Sequence, residues 1–77
     1  MKIKIINCNE ILYQGNIMSV IAPGVCGCFQ ILENHDYFIS ILKNGFIKLY
    51  LKTEKRKKIK IEGGIFQVKK NSIVVFL

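Results

Sequence analysis

The sequence has no tryptophan, one proline (Pro23), one arginine (Arg56) and one histidine (His35). Acidic residues number only five. General acid–base chemistry needs a titratable pair held close together. Glu33 and Asp36 flank His35, but all three fall in a predicted turn, where charges are solvated, so no catalytic residue is assigned. The three cysteines, Cys8, Cys26 and Cys28, are an odd number, which argues against a secreted disulfide scaffold. The alternating start Lys2-Ile3-Lys4-Ile5 leads into no continuous apolar segment, so no signal peptide is read there and a reducing cytosolic compartment is expected. The 22 residues from Ile11 to Leu32 carry no charge. They are interrupted by Gln14, Gly15, Asn16, Ser19, Pro23, Gly24 and Gln30, too polar and broken a run for a membrane-spanning helix, and read as strands and turns.

Metal and phosphate sites are equally poorly supported. Cys26-x-Cys28 is the one close thiol pair, and its spacing differs from the Cys-x-x-Cys common in structural zinc sites. Gly24-Val25-Cys26-Gly27 and Gly63-Gly64 lead into no Gly-Lys-Ser/Thr and no helix, so neither is a P-loop. No metal and no cofactor are expected.

What the chain does have is apolar residues, at 51% of its 77 positions. That is enough for one small core and one domain, spanning residues 1–77, and too much for a disordered chain. The formal net charge is +7. Such a charge fits an acidic partner, nucleic acid or an anionic membrane surface. It also fits plain compositional bias, since 14 Ile, 11 Lys and 6 Asn are residues an AT-rich genome favours.

Lys2 to Ile5, Lys48 to Lys52 and Lys58 to Glu62 alternate polar and apolar, the period of a half-buried strand. Ile73 to Leu77 is continuously apolar, as expected of a strand covered on both sides. Turn signals lie at Asn7 to Asn9, Gln14-Gly15-Asn16, Pro23-Gly24, Lys43-Asn44-Gly45, Thr53 to Lys57, Gly63-Gly64 and Lys70-Asn71, with Asn44-Gly45 suited to a tight turn. No long stretch carries a helical period. Many short strands with close turns predict an all-β sandwich or barrel. The basic run Lys55-Arg56-Lys57-Lys58 is expected at a solvated hairpin tip, with Tyr50 as its nearest aromatic.

Three motifs in order carry a family resemblance. Val20-Ile21-Ala22-Pro23-Gly24-Val25-Cys26-Gly27-Cys28-Phe29-Gln30-Ile31 runs on to His35, and Ile39-Ser40-Ile41-Leu42 leads to Gly45. Tyr13-Gln14-Gly15 precedes them, and Ile61-Glu62-Gly63-Gly64-Ile65-Phe66-Gln67-Val68 follows. Together they resemble the epsilon subunit of F-type ATP synthases over essentially the whole chain. The chain departs from that family at Tyr37 and Asn44, where proline is usual, and at Cys26 and Cys28, which flank Gly27 where an acidic residue is common.

The resemblance implies a small two-sheet β-sandwich of about eight to ten short strands, without the helical hairpin that many family members carry after it and that can inhibit ATP hydrolysis. It implies a non-catalytic central-stalk subunit of an ATP synthase, linking the gamma subunit to the c-ring and coupling ion translocation to ATP synthesis in the alpha/beta head. The chain would then lie peripherally on the cytoplasmic face of a bacterial inner membrane, meeting the membrane surface through the complex. By the same resemblance Val25, Cys26, Gly27, Cys28 and Phe29 face the c-ring and Asn7 and His35 face gamma. Pro23, Gly24, Gly45, Gly63 and Gly64 shape turns. The other reading is a small basic β-barrel that binds nucleic acid. It is disfavoured because no strand is seen to interleave Phe/Tyr with Lys/Arg.

Overall fold

The computed structural model describes residues 1–33 and 36–77. They form eight strands: β1 (Lys2–Asn7), β2 (Glu10–Gly24), β3 (Gly27–Leu32), β4 (Phe38–Leu42), β5 (Gly45–Leu51), β6 (Arg56–Ile61), β7 (Gly64–Lys69) and β8 (Ser72–Phe76). The all-β expectation holds, and the two layers are continuous through one strand. β1, β8, β7 and β4 form one half; β3, β2, β5 and β6 form the other; β2 also pairs with β1 and, at Gly24↔Leu42, with β4.

β2 explains how the sheet folds over. Fifteen extended residues would reach about 50 Å at ~3.3 Å each. The longest dimension of the molecule is 27 Å, so β2 must bend. It does so where its register shifts between Ile17 and Ser19. The extra residue of a bulge bends a strand and tightens its twist. Before that point β2 pairs with β1; beyond it β2 pairs with β5 and β3.

Alternation then fills the interior. Ile3 and Ile5 of β1, Val20 and Ala22 of β2, Ile47 and Leu49 of β5, Phe66 and Val68 of β7, and Ile73 and Val75 of β8 all point into one buried cluster. Phe66 is fully buried, and the edges of Phe29 and Phe38 meet it at ring-centroid distances of 5.0 and 6.4 Å. Such edge-to-face aromatic contacts add to what area burial alone supplies.

Several local expectations are corrected. Gln14-Gly15-Asn16 is no turn: each of its residues pairs with β1 inside β2, and the ring of Tyr13 lies over Gly15. Cys8-Asn9 and Lys70-Asn71 are tight two-residue hairpin turns in which both residues take positive φ (48° and 69°; 47° and 62°). Asn44-Gly45 instead bends the chain between β4 and β5, which do not pair with each other. Pro23 and Gly24 end β2, and the turn itself is Val25-Cys26. The apolar run Ile73 to Leu77 is covered on one face only, since Phe76 is 45% exposed. The basic run is no hairpin tip: Arg56, Lys57 and Lys58 lie within β6.

Candidate functional site

Pairing register on the outside of the β1–β8–β7–β4 half assembles a stripe that no segment shows by itself. Ile6 lies opposite Phe76, Phe76 opposite Ile65, and Ile65 opposite Ile41. Directly opposed residues share a face of the sheet, so these four side chains stand in one outward row. The row continues into the β2–β3 turn, because the Val25 N–H donates to the Ile41 carbonyl at 2.9 Å. Phe76, Ile65, Ile41 and Val25 are exposed by 45, 47, 61 and 53%. Single exposed apolar residues are ordinary; a contiguous row is what a partner covers. The rows farther along the same sheet lose this apolar continuity: the next mixes Lys4 and Gln67 with Val74 and Ile39, and the one after it, Lys2, Ser72 and Lys69, is polar.

The Val25–Phe29 segment sits at one end of this stripe. Gly24 lets the hairpin close tightly, since a Cβ there would lie 2.8 Å from the Gly27 carbonyl oxygen and 3.1 Å from the Phe29 ring. Val25, Cys26, Gly27 and Cys28 are exposed. Phe29 is half-buried and meets Phe38 edge-on at 5.0 Å, so it pins the loop to the core. An open groove of about 650 Å³ between β3 and β4 is lined by Val25, Cys28, Phe29, Ile39 and Ile41.

Asn7 is exposed at the other end of the stripe, next to Ile6. His35 lies outside the described residues. The structure therefore brings Asn7 and the Val25–Phe29 segment to the two ends of one apolar row. Sequence reasoning missed Ile41, Ile65 and Phe76. The available signal was apolar residues at both parities of a strand, as in Ile73 to Leu77.

Cys8, Cys26 and Cys28 are exposed free thiols, and among the described residues no three of His, Cys, Asp and Glu converge. Glu33 is held between two cationic groups. It accepts from the Met1 ammonium at 3.3 Å and lies 3.5 Å from Lys52 Nζ. The hydrogen bond from the ammonium first, then its charge, then Lys52, hold the Glu33 carboxyl below the usual carboxylate range.

Comparison with known proteins gives this geometry a context. A family model described as "ATP synthase, Delta/Epsilon chain, beta-sandwich domain" matches residues 1–77. The ATP synthase epsilon chain of Chlorobium limicola is 35% identical over 74 residues, covering 96% of this chain and 84% of that one. The epsilon chain of Leptospira interrogans (serovar copenhageni) is 39% identical over 75 residues, covering 97% of this chain but 58% of its own. Among solved structures, a chain of the Euglena gracilis mitochondrial ATP synthase (OSCP/F1/c-ring) superposes with a TM-score of 0.90 at 17% identity, over 96% of this chain and 48% of that one. A chain of the central stalk/c-ring of the Tetrahymena thermophila enzyme does so at 0.81 and 11%, over 97% and 60%. At those identities the structural likeness speaks for the fold.

Proposed function

The chain belongs to the ATP synthase delta/epsilon-chain β-sandwich family, and from that premise we propose that it is a non-catalytic rotor subunit at the foot of the central stalk. It joins the gamma subunit to the c-ring, so that rotation driven by ion translocation reaches the alpha/beta head and supports ATP synthesis. It acts peripherally, on the cytoplasmic face of the bacterial inner membrane, within the complex. Transmission of torque asks for a stiff body with two contact patches, and a close-packed β-sandwich is stiff because its interior resists compression.

The apolar row from Ile6 to Val25 is the observation that carries this reading. In the proposed arrangement the exposed loop Val25–Cys28, anchored by Phe29, meets the c-ring. Asn7, His35 and the adjoining row of Phe76, Ile65 and Ile41 meet gamma. A permanent partner covers such a row, and its central apolar residues contribute most of the affinity. Among the described residues all regular elements are strands.

The test is a tagged pull-down from solubilised native membranes with the chain and its Ile41→Asp/Ile65→Asp variant. The wild-type chain is expected to recover gamma, the head subunits and the c-ring. The variant is expected to keep its melting temperature, since both positions are exposed, and to lose gamma by at least ~30-fold, one hot-spot's worth of affinity. Recovery of ribosomal proteins or nucleic acid without gamma would overturn the reading. Undiminished recovery by the variant would show that the stripe is not the contact.

A further inference from the structure

The outer face of the other half of the sandwich is basic. On β5 the outward residues are Phe46, Lys48 and Tyr50, and on β6 they are Lys60, Lys58 and Arg56. Register pairs them as Phe46↔Lys60, Lys48↔Lys58 and Tyr50↔Arg56. Paired strands thus interleave cations with aromatics, an arrangement not read from the sequence. The run Lys55–Lys58 does not act as one unit. Lys57 turns to the opposite side, 5.1 Å from the centroid of the Tyr13 ring, while Lys48 and Lys60 join Arg56 and Lys58.

No acidic residue occurs in β3, β5 or β6. Among the described residues Lys48, Arg56, Lys58 and Lys60 form no ion pair. Glu54 lies beside Arg56 at one end of the face, and Glu62 follows Lys60 by two residues just past the end of β6. Lys48 and Lys58 are directly opposed like charges, which destabilises a strand pair. Lysines on an edge strand such as β6 discourage unwanted pairing. That role does not extend to Lys48, whose strand lies between β2 and β6. An anion over the face relieves the repulsion, and a shallow hollow of about 280 Å³, whose lining includes Lys48, Tyr50, Arg56 and Lys58, gives it a seat.

We infer that the β5–β6 face binds the anionic headgroups of a phospholipid membrane. Ring occupancy separates this from nucleic-acid binding. Single-strand binders stack bases on open aromatic faces. Here Lys58 Nζ lies 4.3 Å from the Phe46 ring centroid and the Arg56 guanidinium lies 5.5 Å from that of Tyr50, so cations already occupy those rings. What remains presented to a partner is a set of four positive charges flanked by Phe46 and the amphipathic Tyr50, suited to a phosphate-bearing bilayer surface. The inference rests on this charge arrangement alone and stands independently of the stalk contacts.

The experiment is co-sedimentation of the full chain with vesicles of equal parts phosphatidylcholine and phosphatidylglycerol, and with pure phosphatidylcholine vesicles. Each basic residue near an anionic bilayer raises affinity roughly fivefold, so these four raise it on the order of several hundredfold. The chain is expected to bind the anionic vesicles, to leave the neutral ones, and to release as salt rises. The Lys48→Ser/Arg56→Ser/Lys58→Ser/Lys60→Ser variant is expected to lose that binding. A variant with Lys2, Lys4, Lys69 and Lys70 changed to Ser removes the same charge elsewhere and is expected to keep most of it. Should the first variant not fold, Lys58→Ser/Lys60→Ser on the edge strand gives the same comparison against Lys2→Ser/Lys4→Ser. Equal losses in the paired variants would overturn the inference, as would no preference for anionic vesicles. Tighter binding to a random single-stranded oligonucleotide than to the anionic vesicles would also overturn it. A failed pull-down of gamma would leave this result unchanged, so the two proposals fail separately.

Discussion

Replacing Gly64 by alanine tests how the end of the chain is locked into the sandwich. Gly64 opens β7 at φ +151°, pairs with Leu42 of β4, and faces the end of β8 on its other side. A Cβ at this position would run into the Phe76 carbonyl oxygen and lie 3.0 Å from Leu77 Cδ2. Gly63, its neighbour, has nearly the same backbone at φ +147°, but a Cβ there meets only the Leu42 carbonyl oxygen at an ordinary 3.4 Å. Both substitutions incur backbone strain of about 1–3 kcal/mol. Gly64→Ala adds overpacking against a backbone atom that cannot swing aside, about 1–3 kcal/mol more. The gap between the two variants is therefore about 2 kcal/mol, or roughly 8–16 °C in melting temperature for a domain of this size. The whole domain is worth only about 4–12 kcal/mol at ordinary per-residue stability, so Gly64→Ala is expected to bring it close to unfolding. Urea and thermal unfolding followed by far-ultraviolet circular dichroism measure both variants, which suits a chain without tryptophan. Equal shifts, or a larger one for Gly63→Ala, would refute the argument that the Phe76 carbonyl makes Gly64 irreplaceable.

Two further predictions concern the core and Glu33. Phe66→Ala empties the centre of the Phe29–Phe38–Phe66 cluster and is expected to cost about 3–5 kcal/mol in urea unfolding. A loss below about 1 kcal/mol would show that these rings do not organise the core. Glu33 has its folded-state pKa lowered, so its contribution to stability is present above the unfolded-state value and is lost as pH falls through the folded-state one. Glu33→Gln is expected to lower the urea midpoint at neutral pH and to converge with wild type in acid; a deficit of the same size at both pH values would contradict the ion-pair account.

The strands were largely legible because alternation is local. Lys2 to Ile5 and Lys58 to Glu62 place alternate residues inside whatever partner they find, and Cys8-Asn9 and Lys70-Asn71 sit where the turn signals point. Gln14-Gly15-Asn16 misled because turn chemistry lost to a partner strand. All three residues lie opposite β1 in register inside β2, and a glycine covered by a tyrosine ring is tolerated within a strand. Asn44-Gly45 bends the chain as its composition indicates, but composition says nothing of which strands it separates. The loop from Val25 to Phe29 was legible through its resemblance to a family. The apolar row beside it was not, because Ile6, Ile41, Ile65 and Phe76 come from four strands.

By itself, then, the sequence determined the class of fold, the family, most strand positions and a surplus of positive charge. Each of these depends on neighbours along the chain or on residue counts. The tertiary structure alone decided that one outer face carries an apolar row and the other a basic one. It also decided that Lys48 stands with Lys58 while Lys57 turns away. The reason is pairing register. Alternation says only that every second residue points outward, whereas register says which outward residues of different strands share a row, and a one-residue slip exchanges the faces.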